Sequence, residues 1–295
     1  MEFSKEPSFE EVNSPKVIGE IAFRLLVIDK DSNIFASGTC FSVACGVLIT
    51  ARHVIEDFLQ RFTKNPVKEF EVVDFCIWAI QILESEDLYA VWSVSNFWLV
   101  PNSDIALLRI APYCKNAAKL EDIKQAKLNL FPPSIGSRIV GFGYHNSCVD
   151  KSNITNNNLN IVVNDTASAT IGEVMEIHEF YRDKVRLNFP CFRVNARFDA
   201  GMSGGPVFND DGEVCGVICS SLPADEECKE DISYVTTLWP LMGMKINVNR
   251  DGDYPKDVTY PVLDLARDGI ICAVNWERVA IEIYKNDISY INKDK

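Results

Sequence analysis

A chain of 295 residues with a formal charge of −13 repels other polyanions, so neither nucleic acid nor an anionic membrane surface is an expected partner. Its 47% apolar content supplies a full core, yet no run is long and apolar enough to cross a bilayer as a helix. The opening Met1-Glu2-Phe3-Ser4-Lys5-Glu6-Pro7 has no basic segment followed by an apolar one, so no secretory leader is expected. A cytoplasmic protein with its ten cysteines reduced follows.

In chain order, β-type runs cover Val17–Ile28, Ile34–Val43, Val47–Thr50, Phe70–Leu83, Ile105–Ile110, Ile135–Gly143, Val185–Ala196, Val207–Phe208 and Glu213–Cys219. Between them, Val54 to Phe62 carries helix-like apolar spacing. The more polar segment Pro112 to Pro133 reads as a crossing, with Leu120, Ile123 and Ala126 supporting a short helix. Asn209-Asp210-Asp211-Gly212 separates two apolar runs and predicts a hairpin turn. Many short strands and few helices imply an all-β protein of sandwich or barrel type. Beyond Ser233–Met242, which reads as a last strand running into a helix, Pro261–Gly269 predicts a second helix with a glycine stop. Asn275–Ile283 predicts a strand or short helix packing on the body. There is no phosphate-cradling glycine loop and no C-x-x-C pair, so neither a cofactor nor a metal is expected. Cys215 and Cys219 share one strand and are read as core fillers.

The segment Asp199-Ala200-Gly201-Met202-Ser203-Gly204-Gly205-Pro206 has the composition of a tight turn that exposes a serine hydroxyl. In such a turn the amides of Gly201 and Ser203 can point at one spot, as an oxyanion hole requires. A serine nucleophile needs a base and an orienting carboxylate. The chain has three histidines, His53, His145 and His178, and all precede Ser203. That order excludes the α/β-hydrolases, which share the G-x-S-x-G turn but place the histidine last. His53 follows the apolar run Val47–Ala51 and so stands at a strand exit, a rigid position for a base. His145 and His178 are read as ordinary surface or loop residues. Asp104 opens the apolar run Ile105–Ile110, where burial demands a hydrogen-bond partner that a histidine N–H would supply.

The segments Gly38-Thr39-Cys40-Phe41, Ile49-Thr50-Ala51-Arg52-His53, Ser103-Asp104-Ile105-Ala106-Leu107-Leu108 and Gly201-Met202-Ser203-Gly204-Gly205-Pro206 together resemble the trypsin-like serine peptidases. Among these they are most similar to the compact bacterial branch that includes the HtrA-type proteases. The resemblance runs from about Gly19 to about Met244. It implies two six-stranded antiparallel β-barrels of the chymotrypsin type with the site in the cleft between them. Residues 1–118 would carry the histidine and the acid, 119–245 the serine, and 246–295 would form a C-terminal extension. It also implies His53 as base, Asp104 as its orienter, Ser203 as nucleophile, and the amides of Gly201 and Ser203 as oxyanion hole. The substrate pocket would be lined by Arg197, Phe198, Cys219, Ser220 and Ser221. An Arg197 side chain inside that pocket would favour acidic substrate residues; a solvated strand-edge arginine is the alternative.

Three positions depart from the family's pattern. Met202 stands where secreted relatives carry the aspartate that pairs with a freed N-terminus, so activation by N-terminal trimming is not expected. Val54 replaces the cysteine that follows the histidine in those relatives. No PDZ domain is expected after the second barrel. The function implied is an intracellular serine endopeptidase acting on protein or peptide substrates through an acyl-enzyme. Two alternatives stand beside it: a protease latent until a partner or signal orders its cleft, and an inactive binding scaffold of the same fold. An activating protein partner, or one encoded by a neighbouring gene, belongs to the same expectation.

Overall fold

The computed structural model describes residues 7–12, 16–29, 31, 33–62, 75–82, 89–113, 119–150, 154–155, 158–159, 162–222, 231–248, 258–284 and 287–293. It begins with a short strand, β1 (Ser8–Glu11), and one helical turn, α1 (Lys16–Gly19). Six strands then close a barrel: β2 (Ala22–Asp29), β3 (Ile34–Ala44), β4 (Val47–Ala51), β5 (Phe75–Ile82), β6 (Tyr89–Leu99) and β7 (Ile105–Pro112). Their order around it is β2-β3-β4-β7-β6-β5, every pair antiparallel. Helix α2 (Arg52–Phe62) leaves β4 without a connecting loop.

After a crossing that contains β8 (Leu128–Asn129), a second barrel follows. Its strands are β9 (Arg138–Asp150), β12 (Val162–His178), β13 (Cys191–Val194), β14 (Pro206–Phe208), β15 (Val214–Leu222) and β16 (Ile232–Thr236). A small hairpin, β10 (Ile154–Thr155) with β11 (Asn158–Leu159), lies between β9 and β12. The ring runs β9-β12-β13-β16-β15-β14 and closes through β14 onto β9. Closure leaves neither barrel with an unpaired edge to template aggregation. The expectation of two six-stranded antiparallel barrels holds.

The sequence explains why these segments pair as they do. Val47-Leu48-Ile49-Thr50-Ala51 is buried at every position, because one face fills the barrel and the other packs under α2 and β15. An uninterrupted apolar, β-branched run is what a strand covered on both sides requires. The core of the second barrel is built from Ile139, Val174, Phe192, Val194, Val207, Ile218 and Val235, all drawn from its strands.

Several expected boundaries shift for identifiable reasons. The strand expected from Ile135 begins at Arg138, because Ser134–Ser137 form a turn with Gly136 in the left-handed region. The run expected from Val185 to Ala196 is a strand only over Cys191–Val194. The Asp183 carboxylate accepts the backbone N–H groups of Val185, Arg186 and Leu187, which a strand would have needed. The expected helix in the crossing is a single 3-10 turn, Leu120–Asp122, with Leu120, Ile123 and Ala126 buried beneath it. The strand expected from Val17 begins at Ala22, after α1; of the run expected over Phe70–Leu83, residues 70–74 and 83 lie outside the described residues.

Two long strands, β6 and β12, lie where no run stood out. The central part of β12, Asn164-Asp165-Thr166-Ala167-Ser168-Ala169-Thr170, has small polar residues in place of apolar alternation. Two of its hydroxyls are nonetheless buried and bonded: Ser168 to the His145 ring at 2.7 Å and Thr170 to the Arg197 carbonyl at 2.7 Å.

The C-terminal part holds β17 (Lys245–Ile246) with β18 (Tyr260–Pro261), helix α3 (Val262–Arg267), β19 (Ala273–Val274), and the hairpin β20 (Val279–Tyr284) with β21 (Asp287–Asn292). Strand β19 runs parallel to β8, and Val262, Leu265 and Ile271 are fully buried in the core shared with the first barrel.

Gly216, on β15, has no room for a side chain. A Cβ there would lie 2.4 Å from Val235 Cγ1 and 2.8 Å from the Thr236 carbonyl oxygen, which is backbone and cannot swing away. Gly216→Ala is expected to destabilise the protein by about 1–3 kcal/mol. A urea midpoint unchanged from wild type would contradict this packing.

Candidate active site

Strands β4 and β7 pair with Ala51 opposite Ile105. That register alone brings the residue two beyond β4 against the residue one before β7. The ladder continues past the strands, with the Arg52 amide donating to the Asp104 carbonyl at 3.2 Å. Asp104 Oδ1 accepts the His53 backbone N–H at 2.9 Å, and Oδ2 lies 2.8 Å from His53 Nδ1. The carboxylate, 5% exposed, is therefore buried but not stranded. The His53 ring remains 38% exposed. With Nδ1 committed to Asp104, Nε2 is the nitrogen left for a reactant.

Burial pulls the His53 pKa down, but the hydrogen bond and charge of Asp104, with Asp57 and Glu56 beyond it, outweigh that and hold it above the ordinary histidine value. A third contact reaches the same carboxylate from the second barrel, the buried Cys219 thiol. Desolvation, and then the Asp104 charge, push that thiol well above its usual pKa, so it stays protonated and donates. His53, Asp104 and Cys219 bring their donor atoms within 4.8 Å of one another. The 2.8 Å between Nδ1 and Oδ2 is a hydrogen-bond length; two ligands of one tetrahedral zinc stand roughly 3.3 Å apart. The trio reads as a hydrogen-bonded chain and not as a metal centre.

The turn carrying Ser203 is set by backbone geometry and by contacts to the first barrel. Gly201 and Gly204 have φ values of +103° and +87°, which side chains rarely adopt. Within the turn the Met202 amide donates to the Asp199 carbonyl, Gly205 to the Met202 carbonyl, and Gly204 to the Ile218 carbonyl. The amides of Gly201 and Ser203 donate to no acceptor among the described residues.

Thr39, fully buried on β3, ties the turn down from the other barrel. Its amide donates to the Ser203 carbonyl at 2.9 Å and its hydroxyl to the Gly201 carbonyl at 3.1 Å. The same hydroxyl accepts the Tyr144 amide at 2.9 Å. Ser203 itself is half-buried between the buried Met202 and Gly204.

The remaining expected residues divide. Cys219, Ser220 and Ser221 line a cavity of about 630 Å³ that also borders His53 and Asp104. Arg197 and Phe198 do not line it. The Arg197 guanidinium forms a two-pronged ion pair with Asp199, at 2.7 and 2.9 Å, and lies over the Phe9 ring contributed by β1. Of the two readings of Arg197 the strand-edge one describes it, with half of its side chain in solvent. Phe198 is buried in the second core and covers Gly141.

Cys215 and Cys219 do not share a core face. The β15–β16 register shifts between Ile218 and Ser220, a bulge that turns Cys219 toward Asp104 while Cys215 stays in the barrel interior. His145, read as a surface residue, is 3% exposed on β9, held by Ser168 and edge-on to Phe9. His178 closes β12 beside Glu176. Thr39 lies in a segment quoted above, yet nothing in its local sequence marks it as the residue that joins the two halves.

A double barrel with a hydrogen-bonded His–Asp pair at its seam and a glycine-framed serine turn defines the class of serine peptide hydrolases. Residues 36–217, more than half of the chain, match the trypsin-like peptidase domain, and the chain belongs to that family. Among solved structures, a Glu endopeptidase in complex with MPD is 11% identical with a TM-score of 0.50, covering 79% of this chain and 92% of its own. Deg5 is 13% identical with a TM-score of 0.47, covering 72% and 83%. The active form of the Rv3671c protease from M. tuberculosis is 18% identical with a TM-score of 0.44, covering 80% and 88%. At 11% identity the likeness to the Glu endopeptidase is one of fold. No curated protein sequence matches.

Two outcomes follow from this geometry. Asp104→Asn removes the charge that raises the His53 pKa, and one of the two acceptor oxygens, and leaves the burial that lowers it, so the titration midpoint should fall. Ring chemical shifts followed against pH by NMR measure this directly, and a midpoint equal to wild type would refute the assignment. Thr39→Val keeps the shape but leaves the buried Tyr144 amide without its acceptor, at a cost of roughly 1–3 kcal/mol in denaturant unfolding.

Proposed function

We propose that the chain is a serine endopeptidase in which His53, Asp104 and Ser203 form the catalytic triad. The observation that carries the reading is the 2.8 Å His53–Asp104 pair, anchored by the β4–β7 register in a trypsin-like double barrel. In this reading His53 Nε2 takes the Ser203 Oγ proton as the hydroxyl attacks the substrate carbonyl. Asp104 holds the imidazole in the tautomer with hydrogen on Nδ1 and stabilises the imidazolium. The uncommitted amides of Gly201 and Ser203 receive the developing oxyanion. His53 then protonates the departing amine, and water releases the acyl group by the same steps in reverse.

Residues 1–118 would supply base and acid, 119–245 the nucleophile, and 246–295 a packing extension. Cys40, Cys76, Cys191, Cys215, Cys219 and Cys272 are free thiols, which accords with work in a reducing compartment such as the cytoplasm. Of the alternatives, latency draws no support from the turn, whose Gly201 and Ser203 amides already stand free of internal acceptors.

Wild-type protein should label with a fluorophosphonate probe and hydrolyse unfolded casein. Ser203→Ala is expected to abolish both, and Asp104→Asn to reduce turnover by roughly 10⁴-fold. Labelling that survives in Ser203→Ala would overturn the reading.

A further inference from the structure

The cavity beside His53 has an unusual wall for so acidic a chain. Its far side is the loop between β12 and β13, which presents Arg182 and Arg186. That loop is tied tightly. The Asp183 carboxylate takes three consecutive backbone N–H groups, at 2.9 Å for Val185, 2.7 Å for Arg186 and 3.4 Å for Leu187. The amides of Arg182 and Asp183 both donate to the Leu187 carbonyl. Leu187 and Phe189 are buried with Cys191, Cys219 and Tyr234, so the loop is moored to the strands that floor the cavity.

On this frame the two arginines differ. Arg182 lies over the Tyr234 ring, 4.9 Å from its centroid, and touches Asp183 at 3.3 Å. The Arg186 guanidinium has no partner among the described residues. Ser220 and Ser221 line the same cavity and their hydroxyls add neutral donors, the Ser221 oxygen accepting the Ser233 hydroxyl at 2.8 Å. The facing wall carries Arg52, already bonded to Glu56 at 2.8 Å, together with Asp104. Negative charge on the histidine side and unspent positive charge on the loop side polarise the cavity. An anionic group entering it is driven toward Arg182 and Arg186 and away from the carboxylates.

We infer that this loop forms an acidic-residue subsite: Arg182 and Arg186, with Ser220 and Ser221, bind the carboxylate of an Asp or Glu side chain near the scissile bond of the substrate. The inference rests on the peptidase reading for the identity of the ligand as a peptide. It locates charge selection on the 179–190 loop and not at Arg197, whose charge is spent on Asp199.

The test uses full-length Ser203→Ala protein, which binds without cleaving. Fluorescent peptides identical except for Glu or Gln at one position, scanned along the sequence, are titrated by anisotropy. One position should favour Glu by at least about tenfold at low salt, with the preference shrinking as ionic strength rises. Arg186→Glu should reverse that preference toward Lys, and Arg182→Gln should weaken it. Arg186 is exposed, so its variant tests the charge without threatening the fold; circular dichroism checks Arg182→Gln. Equal binding of Glu and Gln peptides at every position, or a Glu preference untouched by both substitutions, would overturn the inference. Failure of the peptidase reading looks different: a Glu preference in binding with no turnover by the wild-type protein.

Discussion

Thr39 is the residue that grips the serine turn from across the barrel seam. Thr39 belongs to the first barrel, yet its amide and hydroxyl grip the carbonyls of Ser203 and Gly201, and the same oxygen holds the Tyr144 amide of β9. Its own carbonyl accepts the Thr50 hydroxyl at 2.8 Å, which links the grip to β4, the strand that ends in the histidine. Each bond is worth only about 1 kcal/mol net, but each satisfies a buried backbone group that would cost more if left alone. The nucleophile turn and the histidine are thus referred to one frame, although they lie in different barrels. Ser103 and Thr236 add a weaker hydroxyl contact across the same seam at 3.4 Å, and Arg24 of β2 lies over the Tyr144 ring.

Charge is placed with equal economy. A buried carboxylate is tolerable when its charge is shared among donors, and Asp104 has three: the His53 amide, the His53 ring and the Cys219 thiol. Two of these come from the first barrel and one from the second, so the acid is completed only when the barrels meet. The bulge at Cys219 makes this possible, since a regular strand would have pointed that thiol elsewhere.

Much of this was legible in the residue order. Apolar runs announced β3, β4 and β7, and the turn composition around Ser203, with His53 at a strand exit, announced the chemistry. The rest depended on facts that a linear reading does not hold. Strand β12 hides its identity because two of its buried side chains, Ser168 and Thr170, are hydroxyls satisfied by partners elsewhere in the chain. The loop before Cys191 looked like a strand because the capture of its amides by Asp183 leaves no periodic trace. Arg197 looked like a pocket residue until Asp199, two residues on, was found to neutralise it and Phe9 to cover it. His145 looked exposed because its burial comes from Phe9 and Ser168, far away in sequence.

The glycines of the serine turn have a bearing on how such chains diverge. A Cβ on Gly204 would lie 2.2 Å from the Thr39 carbonyl oxygen, and one on Gly205 would lie 2.1 Å from that of Phe142. A Cβ on Gly143, in the facing strand, would lie 2.7 Å from Met202. Gly204 is constrained by steric contact with the first barrel, and Gly205 and Gly143 by contact within the second, whether or not any bond is ever cleaved. A descendant that abandoned hydrolysis would be free to lose the serine, the histidine and the aspartate, yet would have to keep the glycines to remain folded. The glycine frame is therefore a record of architecture, and only the three side chains of the proposed triad would record a selection for chemistry.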